Sequence, residues 1–221
     1  MNNIETRLKK IHNTIPGEVT LVAVSKTKPV ADIRQAYDAG QRIFGENKVQ
    51  EMVEKYEVLP KDIEWHMIGH LQRNKVKYMA HFVHLIHGVA NLKTLIEINK
   101  QAKKYNRVIN CLLQTKIADE DTKFGLSFAE IETILSSAEY KSLQNARVVG
   151  CMGMATLTDD QEQLEKEFSS LKLFFDHLKK EHSDISILSM GMSADYPIAI
   201  KNGSTMIRIG SSIFGVRNYN A

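Results

Sequence analysis

Short apolar runs recur along the whole chain and alternate with segments in which apolar residues have helical spacing. Several of the runs are apolar on both faces, as buried parallel strands are. The longest helical segment covers about residues 160–182, and its apolar residues recur every three or four positions. The pattern predicts eight strands, at residues 21–25, 42–45, 64–68, 82–87, 108–114, 147–152, 185–190 and 206–209.

Strands that alternate with helices indicate an α/β fold with a parallel sheet. Eight such units in 221 residues fit a compact (β/α)8 TIM-type barrel. The alternative is a doubly wound sheet, but no G-x-G-x-x-G motif follows the first strand. Because only four prolines and no low-complexity tract interrupt the chain, we expect one domain over residues 1–221.

Composition narrows the function classes. With 43% hydrophobic and 25% charged residues, the chain has the profile of a soluble globular protein. A net charge of +3 without a clustered basic patch gives no reason to expect a nucleic-acid partner, and no apolar run approaches the length of a membrane span. Cys111 and Cys151 lie inside apolar runs, and no secretory signal is recognised, so we expect a cytoplasmic location.

Lys26 stands where the first strand passes into a loop. In strand alternation Val22, Val24 and Lys26 share one face, and an apolar face that ends in an amine is unusual because burying an ammonium is costly. One use for such an amine is a Schiff base to a carbonyl compound. The alternative is an ordinary lysine that extends its amine to water.

The last two predicted strands end in segments suited to binding an anion. Barrels of this type commonly hold phosphate in the loops after strands seven and eight. Gly191 and Gly210 would let the backbone approach an anion closely, and Ser193 and Ser211 supply hydroxyl groups beside helix starts. Since strand eight neighbours strand one in a closed barrel, this site would lie within reach of Lys26.

A phosphate site beside an amine suggests pyridoxal 5′-phosphate (PLP) as cofactor. Arg208 would have a role there, because a guanidinium keeps its proton. Facing the pyridine nitrogen, it would leave that nitrogen unprotonated and weaken the cofactor as an electron sink. Taken singly these signals are weak, since a Gly-Ser turn is usually a helix cap and Arg208 could instead form an ion pair inside the barrel.

Five segments of the chain resemble the YggS/PROSC family of PLP homeostasis proteins. Three of them contain Lys26, Ser193 and Arg208, and the five occur in order along most of the chain. They cover residues 23–28, 44–51, 65–75, 188–195 and 208–215.

The resemblance implies a barrel of PLP fold type III, like the N-terminal domain of alanine racemase but without that enzyme's additional β-domain. It implies that Lys26 carries PLP as a Schiff base, and that the protein serves intracellular PLP (vitamin B6) homeostasis and affects amino-acid balance without robust enzymatic activity. Neither catalytic residues nor a metal site are expected. The cofactor-binding positions implied are Lys26, Asn47, Ser193, Arg208, Gly210 and Ser211.

The alternative function is a PLP-dependent amino-acid racemase with weak activity. A two-base racemase needs an acid–base group on each face of the substrate carbon, and in alanine racemase-like enzymes the second base is a tyrosine from the additional domain. The eight units use nearly the whole sequence, so we favour a carrier, with apo forms of PLP-dependent enzymes as candidate recipients. Without that domain a monomer is expected.

Five histidines receive less specific interpretations. His81, His84 and His87 resemble a metal-binding run, but on a strand His84 would face away from the other two. His66 is expected to be packed in the core, and His70 to lie near the barrel mouth.

Overall fold

Eight parallel strands follow one another around a closed barrel, and β8 pairs with β1 to complete it. The computed structural model describes residues 3–119 and 124–215. The closed ring of eight parallel strands confirms the barrel that the alternating pattern predicted. The strands are β1 (Thr20–Val24), β2 (Ile43–Glu46), β3 (Glu64–Met67), β4 (Leu85–Val89), β5 (Ile109–Thr115), β6 (Ala146–Gly153), β7 (Ile187–Ser189) and β8 (Met206–Ile209).

Helices connect the strands and cover the outside of the barrel, as right-handed βα connections require. Asn91 and Ser127 cap two of them, and Ser127 forms a full capping box with Glu130. A 3₁₀ turn, Arg73–Lys75, precedes the fourth helix. The helices are α1 (Ile4–His12), α2 (Val30–Asp38), α3 (Val49–Val58), α4 (Val76–Met79), α5 (Leu92–Lys103), α6 (Phe128–Ser136), α7 (Ala138–Lys141), α8 (Gln161–Glu181), α9 (Tyr196–Lys201) and α10 (Ser211–Phe214).

Two separate apolar layers stabilise the fold. The larger layer lies between the strands and the helices and includes Phe44, Trp65 and the buried stripe of α8. The smaller one lies inside the barrel, where alternate strand residues point inward. Because the inner layer fills only part of the interior, polar side chains occupy the rest. The inner apolar residues are Val22, Leu85, Leu112, Val149, Met152 and Met206.

The predicted limits of the fourth strand were wrong. The prediction placed it at residues 82–87, but the strand is Leu85–Val89. The N–H groups of Phe82 and Val83 donate instead to the carbonyl of Met79, so these residues form a turn after α4. His84 therefore precedes β4, and the argument that it faces away from its neighbours along a strand does not apply.

Other differences are smaller. The seventh strand, Ile187–Ser189, is shorter than the predicted range of 185–190. The short helix α7 was not predicted. No helix in the described ranges has both the length and the apolar character needed to cross a membrane. The single domain over residues 1–221 stays a prediction, because its ends lie outside the described residues.

Candidate functional site

A pocket of about 450 Å³ opens at the carboxyl ends of the strands, the end at which barrels of this type place their sites. Side chains and backbone from β1, β2, β7 and β8 and the loops after them meet there. All six residues predicted to bind a cofactor line this one pocket, although their roles stay predictions. They are Lys26, Asn47, Ser193, Arg208, Gly210 and Ser211.

Lys26 is half-buried two residues after the end of β1, and it lines the pocket together with Val24. The Ser25 N–H donates to the carbonyl of Gly45 at 3.0 Å, which holds the chain against β2 one residue beyond the strand. Thr27 then takes a positive φ of 62°, a conformation that few non-glycine residues adopt. These contacts turn the backbone sharply and place the Lys26 side chain at the pocket.

A buried polar cluster supports this turn. Glu46 and Lys55 form an ion pair at 2.7 Å, and the Ser25 hydroxyl donates to the same Glu46 oxygen at 2.6 Å. Lys55 also donates to the Ser25 carbonyl and to Glu51, whose carboxylate accepts the Thr27 N–H. Burial raises the pKa of the Glu46 carboxyl to about 7, although the Lys55 ammonium opposes this shift. Glu46 therefore has a structural role, because it ties the end of β2 to the turn that carries Lys26.

The loops after β7 and β8 meet at the pocket beside the end of β1, because β8 pairs with β1. The backbone N–H of Arg208 donates to the carbonyl of Gly191, and the backbone N–H of Gly210 donates to the Ser193 hydroxyl at 3.3 Å. Gly191 has a φ of +97°, which favours glycine, and a Cβ on Gly210 would lie 3.2 Å from the Val24 carbonyl oxygen. The backbone of both loops consequently passes close to the pocket, with the hydroxyls of Ser193 and Ser211 beside it.

Arg208 is held rigidly inside the barrel. Its guanidinium donates to the Ser189 carbonyl and hydroxyl at 2.9 and 2.7 Å and to the Gly153 carbonyl at 3.0 Å. Burial lowers the pKa of Arg208 to about 10, so it stays protonated at neutral pH. These hydrogen bonds go to backbone and hydroxyl oxygens. They differ from the ion pair inside the barrel that the sequence left as an alternative, in which the acceptor would be a carboxylate.

A chain of hydrogen bonds continues from Arg208 across the barrel interior. The Ser189 hydroxyl lies 3.1 Å from His87 Nδ1, and His87 Nε2 lies 3.1 Å from His66 Nδ1. Burial lowers the pKa of both imidazoles, to about 3 for His66, so both rings are neutral at pH 7. His66 is buried as predicted, but among polar side chains in the barrel interior.

The sequence analysis missed several other pocket residues. Gln114 comes near the end of the buried strand β5, and a polar residue at that position was a usable signal. Met154 and Met192 line the pocket as well. His70 lies at the mouth as expected, near Phe124. Lys28 also lines the pocket and donates to the carbonyls of Phe214 and Gly215.

The donor set fits a phosphorylated carbonyl cofactor. One cavity combines a primary amine, two hydroxyls beside closely approaching backbone, and a buried guanidinium. A barrel with this site defines the class of the protein: a TIM-type barrel that presents a lysine from the end of β1 beside closely approaching backbone and serine hydroxyls from the loops after β7 and β8.

Comparison with known proteins agrees with this class. The family model "Alanine racemase, N-terminal domain" matches residues 1–218. The chain is 42% identical to a pyridoxal phosphate homeostasis protein of Pasteurella multocida, covering 91% of this chain and 88% of that protein. It is 37% identical to the protein of that name from Escherichia coli K12, over 100% and 99% of the two chains. The chain therefore belongs to the alanine racemase N-terminal domain family and, within it, to the YggS/PROSC pyridoxal phosphate homeostasis proteins.

Solved structures of similar proteins share the fold. PipY of Synechococcus elongatus PCC7942, solved without PLP, superposes with a TM-score of 0.90 at 35% identity and covers 96% of this chain and 100% of its own. The same protein with PLP bound gives a TM-score of 0.87 at 33% identity over the same coverage. An alanine racemase of Clostridium difficile 630, 17% identical with a TM-score of 0.82, shows the fold alone, and 61% of its chain is covered.

Proposed function

We propose that this chain is a PLP carrier that binds the cofactor in the pocket at the carboxyl ends of the strands and serves PLP homeostasis. The observation that carries the proposal is the meeting of Lys26, Arg208 and the two serine hydroxyls in one cavity. Relatives of the chain are named for PLP homeostasis, and PipY has been solved with PLP bound, which supports the assignment.

Each side chain has a distinct role in this proposal. PLP supplies an aldehyde, with which the Lys26 amine forms a Schiff base and releases water. Ser193 and Ser211 hold the phosphate with the backbone at Gly210, and Asn47 lines the cofactor face of the pocket. Arg208 orients the pyridine ring without protonating its nitrogen, since its three hydrogen bonds fix the guanidinium and keep it charged.

A carrier fits the pocket better than an efficient racemase. In the part of the chain that the structure describes, neither a tyrosine nor a carboxylate lines the pocket, so no such group offers a second base opposite Lys26. A charged guanidinium at the pyridine nitrogen also disfavours carbanion chemistry. A weak racemase activity is the second candidate function, because His70 at the mouth could exchange protons with a bound amino acid.

The decisive experiment is an absorption spectrum of the purified chain with PLP, followed by borohydride reduction and peptide mass mapping. We expect one pyridoxyl adduct, on the peptide that contains Lys26. Lys28→Ala is the matched control, because Lys28 lines the same pocket but donates to backbone carbonyls. The adduct should disappear in Lys26→Ala and persist in Lys28→Ala. An adduct scattered over surface lysines would overturn the proposal.

A second pair of assays separates the two functions. The loaded protein is incubated with an apo PLP-dependent enzyme, and the recovery of that enzyme's activity is followed. In parallel, loss of optical rotation is followed for several amino acids. A carrier activates the apo-enzyme with little racemisation, whereas steady turnover that needs Lys26 would favour the racemase. The proposal also includes an effect on amino-acid balance, apo-enzymes as recipients of PLP, a monomeric state and a cytoplasmic location. Gel filtration tests the monomeric state, and cell fractionation tests the location.

A further inference from the structure

Three potential metal ligands converge at the end of the barrel opposite the pocket. Glu64 is the first residue of β3, and His84 directly precedes β4, which pairs with β3. The His84 N–H donates to the Trp65 carbonyl at 2.8 Å, which holds the two chain segments together at the amino ends of the strands. His66 projects into the barrel interior between them and is only 1% exposed.

The geometry of the three side chains suits a small cation. One ligand atom from each of Glu64, His66 and His84 lies within 4.8 Å of those of the other two. His84 Nε2 is 3.5 Å from a Glu64 carboxylate oxygen, and the imidazole planes of His66 and His84 are within 14° of parallel. Glu64 and His84 are half-exposed, so an ion from solvent can reach them without disturbing the core.

The state of the His66 ring is a second, independent observation. Its Nδ1 pairs with His87 Nε2, but among the atoms that the structure describes its buried Nε2 has no hydrogen-bond partner. A buried ring nitrogen without a partner is rare and costs stability, which indicates a function for that atom. Here the nitrogen belongs to a side chain that shares a cluster with a second imidazole and a carboxylate.

We propose that Glu64, His66 and His84 bind a divalent transition-metal ion of the zinc class. His66 Nε2, a His84 ring nitrogen and a Glu64 oxygen provide three ligands, and water completes a tetrahedral site. Two imidazoles and one carboxylate favour zinc over magnesium or calcium, which prefer all-oxygen ligand sets.

The hydrogen bond between His66 and His87 fits this assignment. A metal-bound imidazole usually donates its other N–H to a neighbouring acceptor, which fixes the tautomer and the ring orientation. With His66 Nε2 on the metal, Nδ1–H donates to His87 Nε2, and His87 Nδ1–H donates to the Ser189 hydroxyl. Metal binding would thus select one direction for the hydrogen-bond chain that ends at Arg208. The proposed metal site depends only on its three ligands, so it does not require that the protein bind PLP.

The test uses the full chain after treatment with a chelator, titrated with Zn²⁺ by calorimetry and with Co²⁺ by visible absorption. We expect one equivalent to bind and Co²⁺ to show the intense bands of a tetrahedral site. His84→Ala should weaken binding by about 100-fold or more, since even changes around the ligands cost about 10- to 100-fold in affinity. His84 is half-exposed, so this variant should fold normally.

The matched control is His177→Ala. His177 Nε2 lies 3.3 Å from Glu132 on the helical surface, which is a similar exposed His–Glu pair. This variant should keep the affinity for Zn²⁺ unchanged. Binding that survives in His84→Ala, falls in His177→Ala, or never reaches one equivalent would overturn the proposal.

A direct readout concerns His66 itself. In an imidazole ¹⁵N spectrum, one equivalent of Zn²⁺ should shift the Nε2 resonance of His66 and leave its Nδ1 protonated. An unmoved His66 resonance at saturation would show that the ion binds elsewhere and would overturn the assignment. None of the metal-binding measurements needs PLP. A negative result for the metal site is therefore distinguishable from a failure of the carrier proposal.

Discussion

Lys55 Nζ lies 2.7 Å from the Glu46 carboxylate, and both side chains are almost fully buried behind the strand end that precedes Lys26. The same ammonium donates to the Ser25 carbonyl at 2.8 Å, and the Ser25 hydroxyl donates to Glu46. An ion pair on the helix side of the barrel thus fixes the residue next to the proposed cofactor lysine. Its strength determines how precisely the pocket holds Lys26.

Removing the cation from this pair should destabilise the fold strongly. Lys55→Met leaves Glu46 buried without its partner, and breaking a buried pair from one side costs about 3–5 kcal/mol of unfolding free energy. Urea unfolding of both proteins at pH 8, above the pKa of about 7 that Glu46 has in the wild type, measures the loss. Lys9→Met is the control, because Lys9 and Glu5 form an exposed ion pair at the same 2.7 Å and should contribute little.

The double variant Lys55→Met with Glu46→Gln tests the cause. Removing both charges avoids the unpaired carboxylate, so it should recover much of the stability that Lys55→Met loses. A double variant as unstable as the sum of the two single variants would mean that packing around the Lys55 stem, and not charge, explains the loss.

The stability contributed by Glu46 should depend on pH. Its pKa rises from the ordinary value of 4.5 to about 7 on folding, so the folded chain binds more protons than the unfolded chain between these values. This contribution is therefore fully present below pH 4.5 and is lost as the pH rises to about 7. The free energy of unfolding of the wild type, relative to that of Glu46→Gln, should fall over this window and be constant above it. A difference that rises with pH would contradict the raised pKa.

The barrel could be predicted from the sequence because its signals are local and repeated. Apolar runs separated by helical segments identify eight units, and loop residues at strand ends identify the pocket. Lys26, Ser193 and Arg208 each follow or end an apolar run, so placing them at one end of one barrel needed only the order of the strands.

Contacts that depend on side chains from distant strands could not be predicted in this way. Glu46 and Lys55 lie on β2 and α3 and meet through the packing of that helix. His66, His87 and Ser189 come from three strands and converge only inside the closed barrel. The fourth strand was misplaced because Phe82 and Val83 are apolar enough for a strand, yet their N–H groups close the turn after α4.

Arg208→Lys should change the absorption spectrum of bound PLP. Lysine keeps the positive charge but lacks the planar fork whose two terminal nitrogens reach Ser189 and Gly153 and fix the guanidinium. The cation would then no longer be held at the pyridine nitrogen, and the wavelength of maximum absorption should shift at equal PLP occupancy. Arg107→Lys is the matched control, because the Arg107 guanidinium also donates to two backbone carbonyls but does not line the pocket. An unaltered spectrum in Arg208→Lys would mean that Arg208 does not face the pyridine nitrogen.

Ser193→Ala should weaken the binding of PLP without affecting the binding of unphosphorylated pyridoxal. The Ser193 hydroxyl lies at the pocket and accepts the Gly210 N–H at 3.3 Å, so it can donate its own hydrogen to a phosphate oxygen. A hydrogen bond to a charged group contributes about 1.5–3 kcal/mol, which corresponds to about a 10- to 100-fold loss of affinity. Comparing the two ligands separates this effect from a general disturbance of the pocket. If Ser193→Ala weakened both ligands equally, the loops after β7 and β8 would shape the pocket but would not recognise the phosphate.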